Sequence, residues 1–131
     1  MALSKKKNNE SKNIHFSRED QKKILSSSSP FIVKEAYSSI RTNLLFSQKG
    51  DECPVFIVTS PTANNGKSIN SVNMAVSFAQ MGKKTLLIDA DMRNPTVHRL
   101  FSIPVKNGLS EILAGLTDNI TVSKTDIENL S

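Results

Sequence analysis

Val55-Phe56-Ile57-Val58-Thr59-Ser60-Pro61-Thr62-Ala63-Asn64-Asn65-Gly66-Lys67-Ser68 is the stretch that decides the fold. Its first four residues, directly after Pro54, form a short apolar, β-branched run of the kind that makes a strand buried on both faces. A polar turn follows from Thr59 to Gly66. Beyond it Val72, Ala75, Val76 and Ala79 mark one face of a helix, with Gly82 as its closing glycine. Thr85-Leu86-Leu87-Ile88 is a second buried strand, ending in Asp89. Strand, turn, helix and strand within about 35 residues make a βαβ unit, which requires parallel pairing and an α/β fold.

Outward from this unit the pattern turns helical on both sides. Ala36, Tyr37, Ile40, Leu44 and Leu45 recur at spacings of three and four, predicting a helix from Glu35 to near Phe46 with Gly50 beyond. Asn94 and Pro95 suit the N-cap and first position of a short helix through Leu100. Gly108 to Leu113 reads as another short helix, and Ile120-Thr121-Val122 as a third strand.

The chain has 131 residues, 37% of them hydrophobic, which suits one domain with a modest core. No window approaches the ~18–20 apolar residues of a membrane span, and no apolar segment follows the lysine-rich start as in a secretory signal. One cysteine, Cys53, excludes an internal disulfide and a cysteine-built zinc site; it is expected to be inert packing. The histidines, His15 and His98, lie too far apart in sequence to suggest a metal site. These features point to the cytoplasm.

Charge is unevenly placed. The first 25 residues carry seven basic against three acidic side chains, whereas the other 106 carry ten against nine. The excess falls in a polar, Ser/Asn/Lys-rich leader rather than on a patterned face, so nucleic acid is not an expected partner. Residues 1–30 read as a basic tail whose Ser26-Ser27-Ser28-Ser29-Pro30 end is a linker, and residues 31–131 as the folded part. The Lys5–Lys7 cluster could lean on an anionic membrane surface.

The turn itself carries the chemistry. A phosphate-binding loop needs inward backbone N–H groups, a helix N-terminus, a lysine for the β/γ-phosphates and a hydroxyl for Mg²⁺. Gly66, Lys67 and Ser68 supply the last part in order, while Pro61 stands where the full pattern has glycine. Asn64 and Asn65 occupy positions where such loops often want positive φ, and asparagine tolerates it better than most residues. Asp89 and Asp91 lie at the carboxyl end of the second strand, where open α/β sheets bind ligands. One could coordinate Mg²⁺ and the other accept a proton from a hydroxyl nucleophile; the plainer role is capping the helix that follows.

Taken together these blocks resemble the Walker A and Walker A′ motifs of bacterial protein-tyrosine kinases, a deviant-Walker branch of the P-loop proteins serving capsule and exopolysaccharide synthesis. The resemblance rests on Val58-Thr59-Ser60, on Gly66-Lys67-Ser68, and on Leu86-Leu87-Ile88-Asp89-Ala90-Asp91-Met92-Arg93-Asn94-Pro95 with His98. Arg41-Thr42-Asn43-Leu44 with Phe46, and Gly108-Leu109-Ser110-Glu111-Ile112-Leu113-Ala114-Gly115, are similar to flanking helices of that family. It implies a P-loop NTPase-like parallel sheet with flanking helices, here incomplete, and ATP with Mg²⁺ as cofactors. Asn64, Asn65, Gly66, Lys67 and Ser68 would bind the nucleotide; Ser68, Asp89 and Asp91 would serve the metal; Lys67, Asp89 and Asp91 would be catalytic. It also implies a membrane-embedded adaptor that recruits the protein to the inner face of the membrane. The family's Glu-x-x-Arg-x-x-Arg self-association motif maps to Glu35, Ser38 and Arg41, so its middle arginine is absent. Ala63-Asn64 replace a Pro-Gly, and Ile69 replaces a Ser or Thr.

Two other readings compete with an autophosphorylating kinase. A partition-type ATPase of the same branch would carry a lysine early in the loop, where this sequence has none. A non-catalytic nucleotide- or adaptor-binding fragment would fit the absence of a Walker B acid and of a tyrosine cluster before Ser131. Phosphoryl transfer needs a metal held from several sides and an acceptor presented in line. The 131-residue chain by itself is therefore expected to transfer little phosphate to tyrosine. Labelled ATP, Mg²⁺ and a tyrosine-bearing acceptor test this, and robust transfer abolished by Asp89→Asn would contradict it.

Overall fold

The computed structural model describes residues 21–48, 50, 53–62, 64–104 and 107–131. Among them four helices follow one another: α1 (Phe31–Ser47), α2 (Lys67–Gln80), α3 (Val97–Leu100) and α4 (Leu109–Leu113). The Lys5–Lys7 cluster lies outside the described residues.

The core is built on α2. Its predicted stripe, Val72, Ala75, Val76 and Ala79, is buried throughout. Leu25, Leu100 and Leu130 close over that stripe from three separate parts of the chain, with Leu87, Val97 and Ile127 at the margin. Val72 and Val76 are almost fully enclosed, each burial contributing roughly 1.5–3 kcal/mol. The helix ends as its sequence predicts: Gly82 takes φ +81°, and the Gly82 and Lys83 amides donate to the Ala79 and Phe78 carbonyls.

Two polar contacts lash neighbouring segments to α2. The Arg41 guanidinium of α1 donates from Nη1 to the Ser77 carbonyl at 2.7 Å and to Ser77 Oγ at 3.0 Å. Buried Asn73 accepts the Leu25 amide at 2.7 Å through Oδ1 and donates from Nδ2 to the Lys23 carbonyl and to Tyr37 Oη. Residues 21–30, read from sequence as tail and linker, thus pack on the core, and their serines close a hydrogen-bonded turn, Ser29 N–H to Ser26 O.

Helix boundaries differ from the expected ones at their N-termini. α1 starts at Phe31, four residues before Glu35, because Pro30 (φ −53°, ψ 142°) occupies the N-cap and its carbonyl accepts the Val33 and Lys34 amides. α3 starts at Val97 with Thr96, not Asn94, as N-cap, because Asp89 captures the Thr96 and Val97 amides. α4 begins after Gly108, whose amide is held by Glu111 Oε2 at 2.9 Å. Hydrogen bonds from Ser110 and then from Gly108 hold the Glu111 carboxyl below its ordinary range.

The parallel sheet is the main departure. Among the described residues, pairing is confined to one parallel bridge, Thr85 to Leu130, with the Leu87 amide also reaching Ser131 O at 2.8 Å. Segments 55–58 and 120–122, expected as strands, have no regular secondary structure. Burial on both faces fails for a visible reason. Phe56 stacks on Phe78 of α2 with ring centroids 5.5 Å apart, whereas Val55 and Ile57 are 82% and 87% exposed. Likewise Leu87 faces the core while Leu86 and Ile88 point away from it. Only the α2 side is covered, and parallel strands hold where both faces are. Cys53, expected as inert packing, is a free, exposed thiol.

Asn73→Ala strips the buried Leu25 amide of its acceptor. We expect a loss of about 1–3 kcal/mol, seen as a lower urea midpoint at unchanged slope. An unchanged midpoint would show that the amide is not a needed partner.

Candidate functional site: the phosphate loop and its acidic neighbour

The loop between segment 55–58 and α2 is shaped by two left-handed residues. Asn64 has φ +61° and Gly66 φ +74°, and Gly66 is the N-cap of α2. Inside the turn Ser60 Oγ donates to the Thr62 carbonyl at 2.7 Å, and Asn65 Nδ2 donates to Thr62 Oγ1. A Cβ at position 66 would stand 3.3 Å from Asn70 Nδ2 in an already left-handed conformation, so a side chain there would be both strained and crowded. Asn70 Nδ2 donates to the Gly66 carbonyl at 3.0 Å, while its Oδ1 accepts Tyr37 Oη at 2.8 Å. Tyr37 of α1, expected as a packing residue, packs against the core and also braces the loop.

Lys67 and Ser68 open α2, so their positions follow from the helix itself. The helix start adds partial positive charge to the lysine's full charge. Ser68 Oγ accepts a hydrogen bond from Thr96 Oγ1 at 2.8 Å. The Thr96 amide in turn donates to Asp89 Oδ2 at 2.9 Å, beside the Val97 amide at 3.0 Å. Ser68 and Asp89, 21 residues apart in the chain, therefore meet through one residue.

The two aspartates are not equivalent. Asp89 Oδ1 accepts the Asp91 amide at 3.1 Å while Oδ2 caps α3, so this half-buried carboxylate is held on both oxygens. Asp91 is exposed, and its Oδ1 accepts the Arg93 and Asn94 amides. Past Asp89 the chain does not continue as a strand, and the two carboxylates take different surroundings. No cluster of three or more His, Cys, Asp or Glu residues suited to a metal occurs among the described residues. The oxygen pair from Ser68 and Asp89 still fits Mg²⁺, which takes one or two protein oxygens and leaves its other positions to water and phosphate. Thr96 was not legible as a site residue; its signal was its place directly after Asn94-Pro95.

The arrangement defines a phosphate-binding P-loop protein. The chain belongs to the CobQ/CobB/MinD/ParA nucleotide-binding domain family, whose model matches residues 56–127. It is similar to CapB of Staphylococcus aureus, at 41% identity over 100 residues covering 76% of this chain and 44% of CapB. It is similar also to two tyrosine-protein kinases. CpsD of Streptococcus pneumoniae is 43% identical over 99 residues, 74% of this chain and 43% of CpsD. YwqD of Bacillus subtilis is 46% identical over 79 residues, 60% of this chain and 33% of YwqD. Among solved structures, the chimerical protein CapA2B2 matches with a TM-score of 0.62 at 37% identity, over 79% of this chain and 45% of that one. The chain spans less than half the length of each of these proteins. The resemblance drawn from the motifs is borne out, and so is the P-loop fold; the covered parallel sheet is not.

Asn64→Gly removes a left-handed side chain from the loop. We expect nucleotide affinity to rise by up to about fivefold, equivalent to ~1 kcal/mol, in a calorimetric titration. Weaker binding would mean that the Asn64 amide itself contributes to holding the nucleotide.

Proposed function

We propose that this chain is the nucleotide-binding portion of a bacterial protein-tyrosine kinase of capsule or exopolysaccharide synthesis, with ATP and Mg²⁺ as cofactors. One observation carries the reading: Gly66-Lys67-Ser68 opens a helix whose Ser68 hydroxyl is linked through Thr96 to Asp89. The Lys67 ammonium would neutralise the β/γ-phosphates, and the loop amides, with Asn64 and Asn65 setting its curvature, would cradle them. Ser68 and Asp89 would hold Mg²⁺, which when bound supplies charge neutralisation at the transferring phosphoryl group. Asp91, exposed and with its Oδ1 on amides of its own loop, would accept the phenol proton of a tyrosine acceptor. Within a covered parallel sheet, segments 55–58 and 85–88 would be neighbouring strands, which suits their bare outer residues Val55, Ile57, Leu86 and Ile88.

Partners follow from the same family reading. A membrane-embedded adaptor would recruit the protein to the inner face of the membrane; no helix among the described residues is long and apolar enough to cross one. Self-association along α1 would use Glu35, which is exposed, and Arg41, whose guanidinium also donates to Ser77 and Ser38.

Lys67→Ala should abolish most Mg-ADP and Mg-ATP binding. Losing a charge-assisted phosphate contact of about 1.5–3 kcal/mol corresponds to roughly a 10- to 150-fold weaker affinity. Equal affinities for the unmodified and substituted chains, both folded by circular dichroism, would overturn the nucleotide assignment.

A further inference from the structure

Thr96 touches both candidate metal ligands while belonging to neither motif. It is the N-cap of α3, half-buried, with its hydroxyl on Ser68 Oγ at 2.8 Å and its amide on Asp89 Oδ2 at 2.9 Å. The two contacts come from different atoms and reach different elements, the start of α2 and the end of segment 85–89.

The direction of the hydroxyl bond matters. Thr96 Oγ1 donates and Ser68 Oγ accepts. A serine oxygen has two lone pairs, so one accepted hydrogen bond leaves the other for a cation. The bond also restrains the Ser68 rotamer, and the β-branched threonine is itself stiff at χ1. Asp89 is restrained at the same time by the Thr96 and Val97 amides. Ser68 and Asp89 are thereby held in fixed relation before any ligand arrives. Without the Thr96 hydroxyl, Ser68 would be free to turn and would have to be reordered by the ligand, at a cost in affinity.

We infer that Thr96 is a positioning residue for Mg²⁺–nucleotide binding, setting the Ser68 hydroxyl against the Asp89 carboxylate through its own hydroxyl and amide. This rests on the proposed Mg²⁺–nucleotide site and adds to it the residue that joins its two halves. Valine keeps the shape of threonine and the backbone amide on Asp89, and removes only the hydroxyl.

The test is calorimetric titration of ADP into the full 131-residue chain, with Mg²⁺ and with EDTA, for the unmodified chain, Thr96→Val and Thr96→Ser. The quantity read is the gain in affinity that Mg²⁺ confers. Thr96→Val should reduce that gain about three- to tenfold, the scale of one intramolecular hydrogen bond, and leave affinity in EDTA unchanged. Thr96→Ser should restore most of it. In a Ser68→Ala chain, Thr96→Val should have no further effect on the gain. A gain that survives Thr96→Val, or equal losses with and without Mg²⁺, would overturn the positioning role. Should Thr96→Val prove unfolded by circular dichroism, Thr96→Ala decides the same comparison. An unmodified chain that binds ADP but gains nothing from Mg²⁺ would overturn the metal part of the functional reading and this inference with it. An unmodified chain that binds no ADP at all would overturn the nucleotide reading itself.

Discussion

Burial of one stripe on α2 is the constraint on which the rest depends. Val72, Val76 and Ala79 are all but sealed from solvent, and what seals them comes from far apart: Leu25 before α1, Leu100 at the end of α3, and Leu130 beside Thr85. α1 buries no residue completely, and its Tyr37 packs at the margin of this cluster. Hydrophobic burial is proportional to area removed from water, so the segments gain by meeting at α2 rather than by pairing with one another.

The functional site inherits its geometry from the same helix. Because α2 is held along its length, its first turn is held too, and Lys67 and Ser68 need no separate support to sit at its N-terminus. Two hydrogen-bond chains then tie that first turn to other elements. One runs from Tyr37 through Asn70 to Gly66; the other runs from Asp89 through Thr96 to Ser68. The first involves an asparagine that would crowd a Cβ at position 66, and the second a threonine whose amide caps a helix. In each case a residue that serves local structure also holds a residue of the candidate phosphate loop.

Asp89 shows why capping and catalysis are poor alternatives. From the sequence, a capping carboxylate and a metal-site carboxylate are competing explanations for the same acid. In the structure it caps α3 with Oδ2 and closes the next turn with Oδ1, and those bonds fix where a cation would find it. A carboxylate oxygen has more than one lone pair, so accepting amides does not exhaust it. Asp91, two residues on, has no such anchor in the site and remains on the surface loop.

Local pattern determined most of what could be read directly. The helical period of Val72, Ala75, Val76 and Ala79, the terminating Gly82, and the order Gly66-Lys67-Ser68 before Asp89 and Asp91 depend only on neighbours in the chain. They suffice to place a phosphate loop on a helix and to reveal the kinase-like motifs. Tertiary structure decided the rest, because it depends on which distant groups compete for the same surface or the same hydrogen bond. Segment 55–58 carries a strand's composition, yet Phe56 alone finds a partner, in Phe78, and the unsupported outer face leaves Val55 and Ile57 in water. Thr96 is one polar residue among many in sequence; its role appears only when α2 and α3 come within a hydrogen bond of each other.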